Sequence, residues 1–350
     1  MAWKDIVELD PLRKYVACKL YNAINELRFS SKDLSQLKRT HLKVNTCASM
    51  INIAKCRECG SESFDGAMYC KNKLCPVCAK MRERKYLSIL KRPLERFCLD
   101  GLHKINFLTL TIKDTNNLKC GVDLLKNAWR YMTHQDAFSK YHFDKMFIGG
   151  LYSIEIKKGA NSKLWHPHMH LLLLKRHFSK DFDRLKGLWE NALSHVAGTN
   201  EKLGSVFIEG VYNEKGKLSS NINDSAGIQH AVIECVKYVT KFNFDDYSSS
   251  ELLELCNVLK NNRLFSTFGC LRNLEALCFD DDYQPEVQEL ICPECGYDEF
   301  DFETVKFSDV KDKQLLEFKT RQNLVANEKM RKLENRKIKI TEGKDEKRMY

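Results

Sequence analysis

Trp165-His-Pro-His-Met-His-Leu-Leu-Leu-Leu174 carries more information than any other stretch of this chain. His166, His168 and His170 alternate with Trp165, Pro167, Met169 and Leu171. Successive side chains of a strand point to opposite faces, so an extended segment sets three imidazoles on one face and apolar groups on the other. The leucines that follow continue it as a buried strand. Imidazoles on a sheet surface, backed by a core, are the donor pattern of a divalent-metal site. A histidine-rich surface strand or one satisfied core histidine is the plainer reading. Neither calls for three histidines in strict alternation beside a buried run.

The flanking segments supply the neighbours of this strand. Residues 147–157 (FIGGLYSIEIK) read as a strand, and KKGANSK at 157–163 as a hairpin connection, so the two strands are expected to pair antiparallel. Glu155 lies between Ile154 and Ile156, which turns it away from the apolar side and toward His168. The expected metal ligands are His168 and His170, with Glu155 third and His166 as the alternative third. A mixed imidazole and carboxylate set suits Mn²⁺ or Mg²⁺ acting as a Lewis acid on a phosphate oxygen. The plainer reading of Glu155 is a surface carboxylate. Residues 104–113 (KINFLTLTIK) form a further strand, with Leu108, Leu110 and Ile112 on one face and Phe107, Thr109 and Thr111 on the other. Helical stretches are expected at 11–45, 80–100 (ended or kinked at Pro93), 121–140, 178–196 and 226–243, and a strand at 203–213. This order predicts an α+β fold, one antiparallel sheet with helices on a face.

The chain has 350 residues, 15 of them cysteine, with 43% hydrophobic residues and a formal net charge of +10. A core of useful size is affordable on this composition, and the basic excess fits a polyanionic partner such as nucleic acid. No run of 18 apolar residues exists and the N-terminus lacks a signal-peptide apolar core, so a cytoplasmic protein with no membrane partner is expected. Cysteines in such a setting read as metal ligands and reduced thiols rather than disulfides. Cys56-Arg-Glu-Cys59 and Cys75-Pro-Val-Cys78 are two C-x2-C knuckles with 15 residues between them, the spacing of one tetrahedral Zn²⁺ site. Cys70 either replaces a knuckle cysteine or sits nearby without a ligand role. A redox pair is the weaker alternative. Cys292-Pro-Glu-Cys295 is a half-site that Cys270 and Cys278 could complete as a second zinc; the plainer reading is a reduced turn. The remaining cysteines, Cys47 among them, read as core or surface thiols.

The segment Val232-Ile-Glu-Cys-Val-Lys-Tyr-Val-Thr-Lys-Phe242 places Glu234, Tyr238 and Lys241 at helical spacings of four and three, on one face, with Val232, Cys235, Val236 and Val239 available for a buried side. A phenol beside a carboxylate and an ammonium makes a catalytic group, although an amphipathic helix bearing a tyrosine is ordinary on its own.

Taken together, these motifs resemble the HUH endonucleases, in which two histidines flank a hydrophobic residue, and among them the rolling-circle replication initiators of Gram-positive plasmids. The resemblance rests on Phe107-Leu-Thr-Leu-Thr111, His166-Pro-His-Met-His170 and Tyr238 with Lys241. It rests also on Cys70-Lys-Asn-Lys-Leu-Cys75-Pro-Val-Cys78, on Glu234 four residues before Tyr238, and on Arg263-Leu-Phe-Ser-Thr-Phe-Gly269, and it spans roughly 56–270. It implies a ferredoxin-like or RRM-like nuclease domain with the histidine strand at its centre, joined to an N-terminal zinc-ribbon-like module. It implies that Tyr238 attacks single-stranded origin DNA, leaving a 5′-phosphotyrosine link and a free 3′-OH primer. It implies that Lys241 adds positive charge at the metal site or the phosphate, that Glu234 positions a water for the terminating cleavage, and that Thr109 and Thr111 support the ligands by hydrogen bonds. Host helicase and DNA polymerase are the further partners it implies. The segments are then 1–50 helical, 51–80 zinc-binding, 81–250 endonuclease, 251–305 an extension with the second knuckle, and 306–350 a charged tail. Another HUH enzyme, a relaxase or single-strand transposase, is the first rival reading, and a non-catalytic zinc-ribbon nucleic-acid-binding protein the second.

Overall fold

The computed structural model describes residues 1–99, 104–134, 147–175, 182–209, 211–212, 218–219, 232–233, 235–236, 242–272 and 290–320. In chain order the helices are α1 (Trp3–Leu27), α2 (Ser35–Thr46), α3 (Pro76–Leu99), α4 (Leu118–His134), α5 (Phe182–Ala197), α6 (Ser249–Asn261) and the single turn α7 (Phe307–Val310). The strands are β1 (Met50–Cys56), β2 (Glu62–Ala67), β3 (Lys104–Ile112), β4 (Gly149–Lys158), β5 (Trp165–Lys175), β6 (Gly204–Glu209), β7 (Val211–Tyr212), β8 (Leu218–Ser219), β9 (Phe265–Gly269), β10 (Leu290–Ile291), β11 (Phe300–Lys306) and β12 (Lys319–Thr320). The chain is α+β, as expected, and α3 continues through Pro93 without a break. None of the described helices is long and apolar enough to cross a membrane.

The chain folds into two compact units, each discontinuous in sequence. One comprises Met1–Asn22, Lys38–Arg84 and Asp280–Tyr350; the other comprises Ala23–Leu37 and Lys85–Phe279.

The larger unit is built on a five-stranded sheet in the order β6-β3-β5-β4-β9, antiparallel at every pairing. β5 lies at the centre because it is apolar on both faces over Leu171–Leu174, all of them buried. Only a strand covered on both sides accommodates such a run. The connectivity from β3 to β6 is β-α-β-β-α-β: α4 joins β3 to β4, a hairpin joins β4 to β5, and α5 joins β5 to β6. Helices α4 and α5 pack together, and Trp129 of α4 meets Tyr152 and Phe268 edge-on, on the face that also carries Ile154, Met169 and Leu171. The pleat puts His168, His170, Ser153 and Glu155 on the opposite face. There Tyr86 of α3 stacks on Phe265 at 4.3 Å between ring centroids. Gly150 is required where β4 meets β5, since a Cβ there would lie 2.2 Å from the Leu172 carbonyl oxygen.

The smaller unit carries a three-stranded antiparallel sheet, β11-β1-β2, so its centre pairs a C-terminal strand with an N-terminal one. Ala54, Cys56, Cys292 and Phe300 share one buried cluster, with Leu290 and Phe318 packed on it. Trp3 packs against Phe64 and Phe307 in the same unit. Its α1 is fixed by Arg13, which is buried, ion-paired to Asp10 at 2.5 Å and donating to the Val44 carbonyl.

Candidate metal centre and cysteine sites

The central metal-type site follows from strand register. Glu155 of β4 lies directly opposite His168 of β5, and Ser153 opposite His170. The Glu155 carboxylate therefore reaches both imidazoles, accepting from His168 Nε2 at 2.6 Å and from His170 Nε2 at 3.2 Å. All three side chains are buried, and one ligand atom from each lies within 4.8 Å of the others. Burial alone would raise the Glu155 carboxyl, but its hydrogen bonds to His168 and His170, and the charges around it, hold it well below the ordinary carboxylate range. Burial pushes His168 down to about 4. At neutral pH the group is thus one carboxylate and a neutral His168, a donor set that fits a hard or borderline divalent cation.

Neighbouring residues position the imidazoles unequally. Thr109 of β3 stands opposite His170, and its hydroxyl donates to His170 Nδ1 at 3.0 Å. The Phe107 ring stacks on the same imidazole with centroids 5.6 Å apart. Thr111 stands opposite His168 but is turned to β6, where it donates to the Ser205 carbonyl and accepts from the Ser205 amide. Of the two threonines expected to hydrogen-bond the histidine layer, Thr109 does so and Thr111 does not. Pairing with β6 captures its hydroxyl, and His168 Nδ1 is left buried with no hydrogen-bond partner among the described residues. A buried polar atom of this kind is costly in isolation.

His166 shares the face but not the cluster. Its Nδ1 pairs with Asp114 at 2.5 Å, and Asp114 also accepts from Ser162. These bonds, against the opposing effect of burial, keep the Asp114 carboxyl below its usual range. Asp114 went unnoticed in the sequence because it lies in the loop after β3, 52 residues from the histidine it meets.

The face extends beyond Glu155, His168 and His170. Phe207 of β6 is opposite Thr109, which is opposite His170, so the three occupy one row across the sheet. The Phe207 ring is 56% exposed in a position where an apolar side chain gains nothing from the core. On the same face, Val232, Cys235 and Val236 are helical and buried, three of the residues that the sequence offered for the buried side of that segment. The Cys235 thiol lies 3.5 Å from Ser153 Oγ and donates to the His170 carbonyl at 3.6 Å. Glu234, Tyr238 and Lys241 lie outside the described residues, as does Cys278.

The cysteines separate into two groups, both in the smaller unit. Cys47, Cys70, Cys75 and Cys78 form one, and Cys56, Cys59, Cys292 and Cys295 the other. This corrects the grouping of Cys56, Cys59, Cys75 and Cys78 around one ion. β1 ends at Cys56 and pairs with β11, which carries the 56–59 knuckle to the C-terminal knuckle instead. Cys70 belongs with Cys75 and Cys78, and their fourth partner is Cys47, just past the end of α2. No spacing signal marked Cys47, since it has no C-x2-C companion. Cys270 joins neither group: it follows β9 in the other unit, where burial pushes its thiol up to about 12.

Comparison with known proteins adds a family. Residues 62–306 match the family model described as a replication protein. The chain is 26% identical over 282 residues to Protein rep of Streptococcus pneumoniae serotype 2 (strain D39 / NCTC 7466), covering 75% of this chain and 77% of that protein. It is 25% identical over 213 residues to Protein rep of a Bacillus species, covering 57% of this chain and 65% of that protein. Protein rep of Bacillus amyloliquefaciens is 26% identical over 253 residues, covering 66% and 71%. No solved structure matches the chain significantly.

Proposed function

The chain belongs to the replication protein family, and from that premise we propose that it is a plasmid or viral rolling-circle replication initiator that nicks single-stranded origin DNA through Tyr238. The observation that carries the proposal is the buried Glu155–His168–His170 cluster on the central strand and its neighbour β4, next to the segment that leads to Tyr238. The β-α-β-β-α-β connectivity with strand order β6-β3-β5-β4, and β9 added at one edge, supports reading the larger unit as a ferredoxin-like or RRM-like core. Such a core is the expected scaffold of the HUH enzymes.

Glu155, His168 and His170 would hold Mn²⁺ or Mg²⁺, which when bound supplies a Lewis acid for a phosphate oxygen. The chain's own residues do the rest. The Tyr238 oxygen forms a bond to phosphorus and the bond from phosphorus to the 3′ oxygen breaks. The 5′ phosphate stays on the tyrosine, and the phenol's proton is balanced by the one the departing 3′-OH takes up. Lys241, three residues on, adds positive charge at the phosphate. Glu234, four residues before Tyr238, orients the water that ends replication by a second cleavage. Cys235 supports this assignment, since its bonds to Ser153 and to the His170 carbonyl tie the chain three residues before Tyr238 to the ligand strands. Thr109 holds the His170 ring in place for its ligand role.

Single-stranded DNA would run across the exposed part of the histidine face, one base stacking on Phe207. The endonuclease reading then covers the larger unit, whose β9 carries it past the expected 81–250 segment, while both cysteine groups lie in the smaller unit. Host DNA polymerase would extend the released 3′-OH while a host helicase unwinds the duplex ahead of it. Incubating the protein with single-stranded origin oligonucleotides and Mn²⁺ tests the reading. A covalent protein–DNA adduct is expected from the wild type and none from Tyr238→Phe, with binding retained. A Phe variant that still forms the adduct rejects Tyr238 as nucleophile, and no cleavage by the wild type with any divalent ion rejects the nuclease reading.

A further inference from the structure

We propose that the smaller unit binds two zinc ions in separate tetrathiolate sites, one held by Cys47, Cys70, Cys75 and Cys78 and the other by Cys56, Cys59, Cys292 and Cys295. The inference is independent of the nicking reading. Cys47, Cys56 and Cys59 precede the residues that match the family model.

The second site is built from two copies of one turn. Cys56-Arg-Glu-Cys59-Gly60 and Cys292-Pro-Glu-Cys295-Gly296 share the pattern C-x-E-C-G. In each, the glycine amide donates to the first cysteine's carbonyl, at 2.9 Å for Gly60 and 3.0 Å for Gly296. In each, the first cysteine's amide closes the turn on the residue after the glycine, Cys56 on Ser61 and Cys292 on Tyr297. Both glycines have positive φ, +73° and +79°, where a side chain would be strained. A turn of this shape points two thiols the same way, and the pair of turns faces itself. Cys56 Sγ lies 3.6 Å from Cys295 Sγ, and Cys59 Sγ lies 3.6 Å from Cys292 Sγ.

The first site uses a different framework with the same result. Cys47 follows α2, Cys70 sits in the loop where Lys71 has φ +57°, and Cys75 and Cys78 flank the first turn of α3. Cys78 Sγ lies 3.5 Å from Cys47 Sγ and 3.6 Å from Cys70 Sγ. Backbone amides of Cys70, Lys71 and Asn72 donate to the sulfurs of Cys47, Cys78 and Cys70. Amides aimed at sulfur stabilise thiolates rather than thiols.

The distances discriminate among the chemistries open to cysteine. Four sulfurs tetrahedrally placed about 2.3 Å from one ion are about 3.8 Å apart, close to the values here, whereas a disulfide needs about 2.05 Å. All eight are free thiols. Four thiolates at this spacing fit a tetrahedral Zn²⁺ and would leave it no open position, so both ions are assigned as structural. The ligands of the second site are separated by 233 residues between Cys59 and Cys292. That ion therefore closes a very long loop, and its contribution to folding of this unit is correspondingly direct. The two ions should differ in lability, because Cys75 and Cys78 are inaccessible while Cys59 and Cys295 are exposed.

Elemental analysis of the full-length protein tests the proposal. Two zinc atoms per chain are expected, one in Cys47→Ser, one in Cys292→Ser and none in the double variant. Cys47→His, which keeps a ligand at the position, should restore two. Should the serine variants fail to fold, zinc release from the wild type under a thiol-blocking mercurial and a colorimetric chelator gives a second readout, with one fast and one slow phase of equal amplitude. One zinc in the wild type, iron in place of zinc, or an unchanged zinc content in Cys47→Ser and Cys292→Ser would overturn the two-site assignment.

Discussion

Removing the proton-accepting imidazole at 168 tests the electrostatics of the metal-type site without any substrate. His168 is 3% exposed and burial pushes its pKa from 6.5 down to about 4. A folded-state value below the unfolded one means that the unfolded chain binds the proton first. The neutral form is compatible with folding above pH 6.5, and stability is lost as pH falls toward the folded value. The full span is worth about 3 kcal/mol at 1.36 kcal/mol per unit. Between pH 7 and pH 5 the share is about 2 kcal/mol, because the unfolded imidazole has titrated in that window and the folded one has barely begun. Glu155 adds little slope there, since the contribution of its depressed carboxyl is lost as pH falls through the ordinary carboxylate range and below it. The assay is urea unfolding in EDTA at both pH values, followed by the fluorescence of the buried Trp165 and Trp189 of the same unit. The wild type should lose about 2 kcal/mol more than His168→Gln over this range. Equal losses in the two proteins would refute the claim that His168 is held neutral.

Glu155→Ala should reduce metal-dependent cleavage by more than about a hundredfold, beyond the loss typical of an outer residue, while His166→Ala, bonded to Asp114 instead, should stay within about tenfold; oligonucleotide nicking over a Mn²⁺ titration separates them, and the reverse order would move the third ligand to His166. Phe207→Ala should weaken single-stranded DNA binding in EDTA by about tenfold, within the range of about 1–3 kcal/mol for one stacked base, with Phe207→Trp retaining affinity; fluorescence anisotropy showing equal affinity for Ala and Trp would exclude stacking there. Glu234→Ala should nick normally yet accumulate over-length single-stranded products in replication assays, and unit-length products would assign Glu234 to an ordinary helix-face ion pair.

Local periodicity made the larger unit's centre legible. Alternation over 165–174, the hairpin-length connection before it and the position of Glu155 between two isoleucines place Glu155, His168 and His170 on one face, because a two-residue repeat needs no knowledge of distant chain. The same argument predicted the buried side of the helix at Val232, Cys235 and Val236. Registers between remote strands carry no such local mark. Thr109 and Thr111 look equivalent in sequence, yet pairing with β6 turns Thr111 to Ser205 and leaves Thr109 with His170. His166 looks equivalent to its neighbours until the loop after β3 brings Asp114 to it. The cysteine knuckles show the limit most clearly. A C-x2-C turn is a local object and was recognisable as a ligand pair from its spacing. Which pair shares an ion depends on β1 hydrogen-bonding to β11, from Met50 with Lys306 to Cys56 with Phe300. That pairing brings Cys56 and Cys59 to Cys292 and Cys295, and leaves Cys75 and Cys78 to Cys70 and the otherwise unmarked Cys47.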